Sequence, residues 1–173
     1  MNLSWSDGKR LEQYLDLNSL LIDLSNLTDS EVEETGYRLY GELFLDTAVR
    51  GVRKTHDGED VYFWEERFDH AFFAPANFHL TTEKQIVDKG RVARIKWILP
   101  LIGGEVPNSE CWLVKNKNRP EQRLYVRFSQ NYIVWLEPRD AGGWKFSTAY
   151  PSEGWRIRNY LKGAQRIWRY GQK

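Results

Sequence analysis

One cysteine, Cys111, and one methionine stand in 173 residues. A single thiol excludes an internal disulfide and any metal site built from paired thiolates, and it suits a reducing compartment, so a cytoplasmic location is expected. Histidine is scarce as well: His56, His70 and His79 stand at no spacing that joins metal ligands, and no HExxH run occurs. Neither common kind of Gly-rich phosphate loop is present, nor a GxSxG nucleophile elbow. No apolar run approaches 18 residues, so no membrane span is expected, and the start of the chain lacks the basic-then-apolar pattern of an export signal. These gaps point to chemistry that needs no metal and no cofactor.

Aromatic residues and charge are plentiful. Aromatics make up 14% of the chain, with eight Trp, more than an ordinary core requires. The net charge of +1 conceals an asymmetry: residues 1–60 hold 13 acidic and 6 basic side chains, residues 61–173 hold 11 acidic and 19 basic. A basic half suggests a polyanionic partner, although two surfaces of opposite sign that attract each other within the fold explain the split equally well.

The first 60 residues read as an acidic segment packed on a domain formed by residues 61–173. Residues 8–24 place Leu11, Tyr14, Leu15, Leu20, Leu21 and Leu24 at helical spacing. Thr28 is a candidate helix cap, with Glu31, Glu33 and Glu34 following where the helix dipole favours acid. Residues 37–52 fit a helix or a strand. Asp57-Gly58, between GVRK and VYFW, predicts a hairpin tip. FDHAFF (68–73) reads as a strand, and residues 82–101 as a helix that Pro100 ends or kinks. From residue 111 the pattern changes to period two, predicting strands over 111–115, 123–128, 131–137 and 144–150, then a helix over 155–170. The expected class is α+β: N-terminal helices, then a four-stranded antiparallel sheet with a C-terminal helix.

Three clusters carry possible chemistry. His70 in FDHAFF is either a packed core histidine or an acid–base group at a cleft edge, since imidazole titrates near neutrality. Arg91 and Arg94, three apart on the predicted helix and flanked by Lys89 and Lys96, are a solvated face or a pair of guanidinium groups for phosphate. In WKFSTAYP, strand alternation places Phe146, Thr148 and Tyr150 on one face, opposite Lys145, Ser147 and Ala149: a hydroxyl beside a stacking ring, or an ordinary amphipathic strand. Arg127 and Lys145 on the strands, with Arg156 and Arg158 in an acid-free tail, extend a basic surface interleaved with Trp and Tyr, as a nucleic-acid backbone requires.

In their order, FDHAFF, RVARIKWILPLI, YVRF, YIVWLE and FSTAYP resemble the phage and toxin branch of the barnase–EndoU–colicin–RelE nucleases over residues 61–151. The resemblance implies a small domain with a helix before a four-stranded antiparallel sheet. It also implies endonucleolytic cleavage of RNA, either tRNA or mRNA, that leaves a cyclic phosphate without a metal, and a cognate inhibitor or immunity protein as partner. It assigns catalytic places to His70, Arg91, Arg94, Thr148 and Tyr150. Ser147 is an alternative to Thr148, and His79 to His70. A non-catalytic RNA-binding module and a protein-interaction domain are the rival readings.

Overall fold

A computed structural model describes residues 16–75 and 85–172. Thr28 begins the first long helix, α1 (Asp29–Tyr40), through a reciprocal capping box: the Glu31 N–H donates to the Thr28 hydroxyl, and the Thr28 N–H donates to the Glu31 carboxylate. A wider helical turn over Gly41–Leu45 continues it, so residues 37–45 are helical rather than extended. The helix expected over 8–24 is corrected within its described part. There the chain makes only a short 3-10 turn, Leu17–Leu20, and then runs irregularly with Leu17 and Leu24 buried. Asp16 accepts from the Asn18 N–H and Asp23 from the Ser25 N–H, local bonds that compete with a helix.

After α2 (Thr47–Arg50), the expected hairpin forms from β1 (Arg53–Lys54) and β2 (Asp60–Tyr62). Gly58 in its loop has a φ of +81°, which glycine adopts without strain. Asp57 beside it meets Arg123, whose two terminal nitrogens each donate to the carboxylate at 2.8 Å. That guanidinium also lies 4.6 Å from the Trp144 ring centroid and 3.0 Å from Glu59.

FDHAFF is not a strand but the larger part of a helix, α3 (Arg67–Phe72). Six residues satisfy either period. The observed burial of Phe68, Ala71 and Phe72 follows helical spacing and turns Asp69 and His70 outward. The helix expected over 82–101 is also corrected within its described part. β3 (Phe73–Pro75) pairs antiparallel with β4 (Gln85–Val87) as a small separate sheet. Three short helical pieces follow: α4 (Lys89–Ala93), a 3-10 turn at Ile95–Trp97, and α5 (Ile98–Ile102). Asp88 caps a fresh start by accepting from the Arg91 N–H, Arg94 leaves helical geometry, and Pro100 falls in the first turn of α5, where its missing N–H is not needed.

β5 (Ser109–Asn116), β6 (Arg119–Arg127), β7 (Tyr132–Pro138) and β8 (Trp144–Pro151) form the expected antiparallel meander. The sheet does not stop at four strands. After α6 (Gly154–Leu161), Gly163 turns the chain at a φ of +72°, and residues expected to be helical form β9 (Gln165–Arg169), antiparallel to β5. On the other side β2 pairs parallel with β8. The result is a seven-stranded mixed sheet in the order β1-β2-β8-β7-β6-β5-β9, which overturns the expected four-stranded antiparallel sheet. Both edges of a bare meander present unpaired N–H and C=O groups, and flanking segments rich in β-formers were available to satisfy them.

The sheet is covered on both faces. One carries the main core, where Tyr40, Phe44, Phe68, Phe72 and Phe146 cluster with the short helices, and residues 16–60 share that core. On the other, Ile157 of α6 packs with Leu124, Val126, Ile133 and Trp135. That explains why Tyr132–Leu136 reads as an unbroken apolar run. No helix among the described residues is long and apolar enough to cross a membrane. Gly36 is where α1, α3 and α4 meet: a β-carbon there would lie 2.8 Å from the Phe68 ring and 3.3 Å from Val92. Gly36→Val is therefore expected to lower unfolding free energy by about 1–3 kcal/mol through overpacking, measured by guanidinium titration.

Candidate functional site: a cleft beside strand β8

β2 pairs with β8 at only two positions, Val61 with Trp144 and Tyr62 with Lys145. Beyond Lys145 the backbone of β8 needs other partners, and Arg67 supplies them at Ser147. Its Nε donates to the Ser147 carbonyl at 2.6 Å and its Nη2 to the Ser147 hydroxyl at 2.8 Å. This grip lays the start of α3 against the strand.

Ser147 is also the extra residue of a β-bulge. The β7–β8 register passes from Trp135 opposite Thr148 to Leu136 opposite Phe146. Simple alternation would put Phe146 on the same face as Thr148 and Tyr150. With the bulge, Phe146 and Ala149 enter the main core, while Ser147, Thr148 and Tyr150 all line a cleft on the opposite side.

The cleft has a volume of about 530 Å³. Val114, Gln122, Trp135 and Glu137 of the sheet contribute to it, with Arg67 and His70 of α3 on one side and Tyr160 and Lys162 on the other. Four cations line it, Arg67, Lys115, Arg119 and Lys162, against one carboxylate, Glu137, among the described residues. Glu137 accepts from the Ser147 hydroxyl at 3.3 Å and from Gln122 at 3.4 Å, and Lys145 lies 3.4 Å away. Arg67, Ser147 and Glu137 thus form one chain of polar contacts.

Partial desolvation lowers the His70 imidazole below its ordinary value of 6.5; Arg67 and Arg91 push the same way, and Glu137 opposes them. The ring is therefore uncharged at neutral pH and available to accept a proton. Burial pushes the Tyr150 phenol up to about 12, so it keeps its proton. Its hydroxyl lies 3.4 Å from that of Tyr160, and the Arg91 guanidinium lies 4.8 Å from its ring centroid.

Of the residues singled out by sequence, His70, Thr148 and Tyr150 come together in the cleft, with Ser147 beside them. Arg91 stands behind the Tyr150 ring and donates to the Ala71 carbonyl at 3.0 Å. Arg94 donates to the Gly90 carbonyl at 2.7 Å and covers Trp97; neither arginine is among the residues lining the cleft. Lys89 donates to the Leu27 carbonyl at 2.6 Å, Arg127 to Gln130 at 3.1 Å, and Lys145 pairs with Glu137. Lys96, Arg156 and Arg158 are exposed, with Arg156 over the Trp155 ring. His79 lies outside the described residues. The sequence reading missed Glu137, Lys115, Arg119, Tyr160 and Lys162. The one available signal was an acid closing the apolar run YIVWLE.

Among the described residues, no three His, Cys, Asp or Glu side chains gather as a metal site would need. No protein-family model, curated protein or solved structure matches the chain. Partial desolvation and then the charges around His70 set its titration, which NMR can follow. Its midpoint is expected below 6.5 in the native protein, higher in Arg67→Gln, and lower still in Glu137→Gln.

Proposed function

We propose that this protein is an endoribonuclease that cleaves RNA without a metal, using the substrate's own 2′-hydroxyl as nucleophile. The observation that carries this reading is the placement of an imidazole, uncharged at neutral pH, in a cleft lined by four cations. A phosphodiester needs cations to enter such a cleft and to spread the charge that develops on phosphorus. Cleavage needs in addition a base for the 2′-hydroxyl.

In this reading His70 takes the 2′-hydroxyl proton as the 2′-oxygen bonds to phosphorus. The bond to the 5′-oxygen breaks, and that oxygen leaves with the electron pair and takes up a proton. Tyr150, which also lines the cleft and keeps its proton, can give it. The products are a 2′,3′-cyclic phosphate and a 5′-hydroxyl. Arg67 and Lys162 face the phosphate, and Thr148 donates to one of its oxygens. Glu137 fixes Ser147 and keeps His70 from losing too much basicity. Arg91 supports the Tyr150 ring from behind rather than touching phosphate.

Wild-type protein is expected to cut tRNA or total RNA in excess EDTA and to leave cyclic-phosphate ends. His70→Ala should lose a factor of roughly 10²–10⁴ in rate. Because neutral His70 is the active form, kcat/KM should rise with pH through a midpoint below 6.5 and level off towards neutrality. Intact RNA with the wild type, or full activity in His70→Ala, would overturn the proposal. Salt-sensitive RNA binding without product would assign the same surface to a binding module.

A further inference from the structure

The groove does not end at His70. A second hollow of about 620 Å³ shares Arg67 and His70 with the cleft and continues to Trp64, Pro120, Pro138 and Arg139. A smaller hollow of about 260 Å³ joins the two: Arg119, Gln122 and Glu137 belong to it and to the cleft, while Pro120, Pro138 and Lys145 belong to it and to the second hollow. One continuous groove therefore passes the start of α3, with His70 near its middle and not at a closed end.

Trp64 is the feature of the second hollow that the fold does not use. The residue is 42% exposed, although burial of an indole would be favourable. It is not on a loose segment: the Tyr40 hydroxyl donates to the Trp64 carbonyl at 2.7 Å. The Arg139 guanidinium lies 3.7 Å from the Tyr62 ring centroid and 5.7 Å from that of Trp64, and it donates to the Gly142 carbonyl, so the indole sits in a braced stack. Two prolines and Ala141 supply further apolar surface. Arg67, Arg139 and Lys145 are set against Glu66 and Asp140 on this rim. With charge nearly balanced, the hollow offers a flat ring for stacking more than attraction for phosphate.

We infer that Trp64 forms a base-stacking subsite and that the substrate is single-stranded RNA, running through the groove across His70 with one base laid on the indole. This rests on the ribonuclease reading of the cleft. A base reaches Trp64 only if it is free of its own neighbours, which a duplex does not allow.

The test uses the full-length protein and a 2′-O-methyl oligonucleotide, which binds but lacks the nucleophile. Affinity is measured for the single strand and for the same strand in a duplex, with wild type, Trp64→Ala and Trp64→Phe. Trp64→Ala is expected to weaken single-strand binding roughly 5- to 140-fold with an unchanged salt slope, because the lost contact carries no charge. Trp64→Phe should recover most of the loss. Wild-type affinity in Trp64→Ala, or a duplex bound as tightly as the single strand, would overturn the subsite while metal-free cleavage of RNA by the wild type still upheld the nuclease. Absence of both binding and cleavage in the wild type would overturn the two together.

Discussion

Arg123 projects from the middle of β6 with the residue only 6% exposed, and a guanidinium so placed needs anions beside it. Asp57 and Glu59 supply them from the β1–β2 hairpin. The pairing holds Asp57 far below the usual carboxylate range, so the contact persists at any ordinary pH. It draws the hairpin onto the sheet, where β2 reaches β8 and α3 follows almost at once. The places of Arg67 and His70 are thus set by a contact between other residues, on a neighbouring strand and a loop.

The two faces of the sheet meet opposite demands. The helix side is filled with interlocking aromatic rings, among them Phe44 stacked on Phe63 and Phe68 on Phe72. The other face is apolar under α6 and polar beyond it, where the cleft opens. None of the residues lining the cleft precedes Arg67, so the acid of described residues 16–60 lies outside it and the cations there keep their field. Tyr150 links the two regions: its ring is packed between Arg91 and the α6 side of the sheet, and its hydroxyl is part of the cleft.

Where one local signal dominated, the sequence could be read. Thr28 and Glu31 announce α1, Asp57-Gly58 marks a hairpin, and runs of strand-forming residues between turn signals reveal β5 to β8. FDHAFF was misread because so short a run with Phe68, Ala71 and Phe72 fits either period, and only packing against Gly36 and Val92 decides between them. β9 was hidden because Ile167 and Trp168 suit a helix as well as a strand, and what selects the strand is the open edge of β5. His70, Thr148 and Tyr150, singled out for their chemistry, line one cleft. Arg67 and Glu137, which line the same cleft, meet through Ser147 in a long-range contact that no spacing along the chain encodes.

β8 keeps Phe146 and Ala149 in one environment and Thr148 and Tyr150 in another although Ser147 stands between Phe146 and Thr148, because it runs one residue out of step with its neighbour. The strand therefore behaves like a vernier whose offset, not whose lettering, distinguishes inside from outside. Substitution of Ser147 alters one hydroxyl, whereas its loss would leave Phe146, Thr148, Ala149 and Tyr150 in plain alternation on the faces they already occupy and would remove the carbonyl and hydroxyl that Arg67 holds. The inserted residue thus works as a handle for α3, giving Arg67 a carbonyl and a hydroxyl to hold.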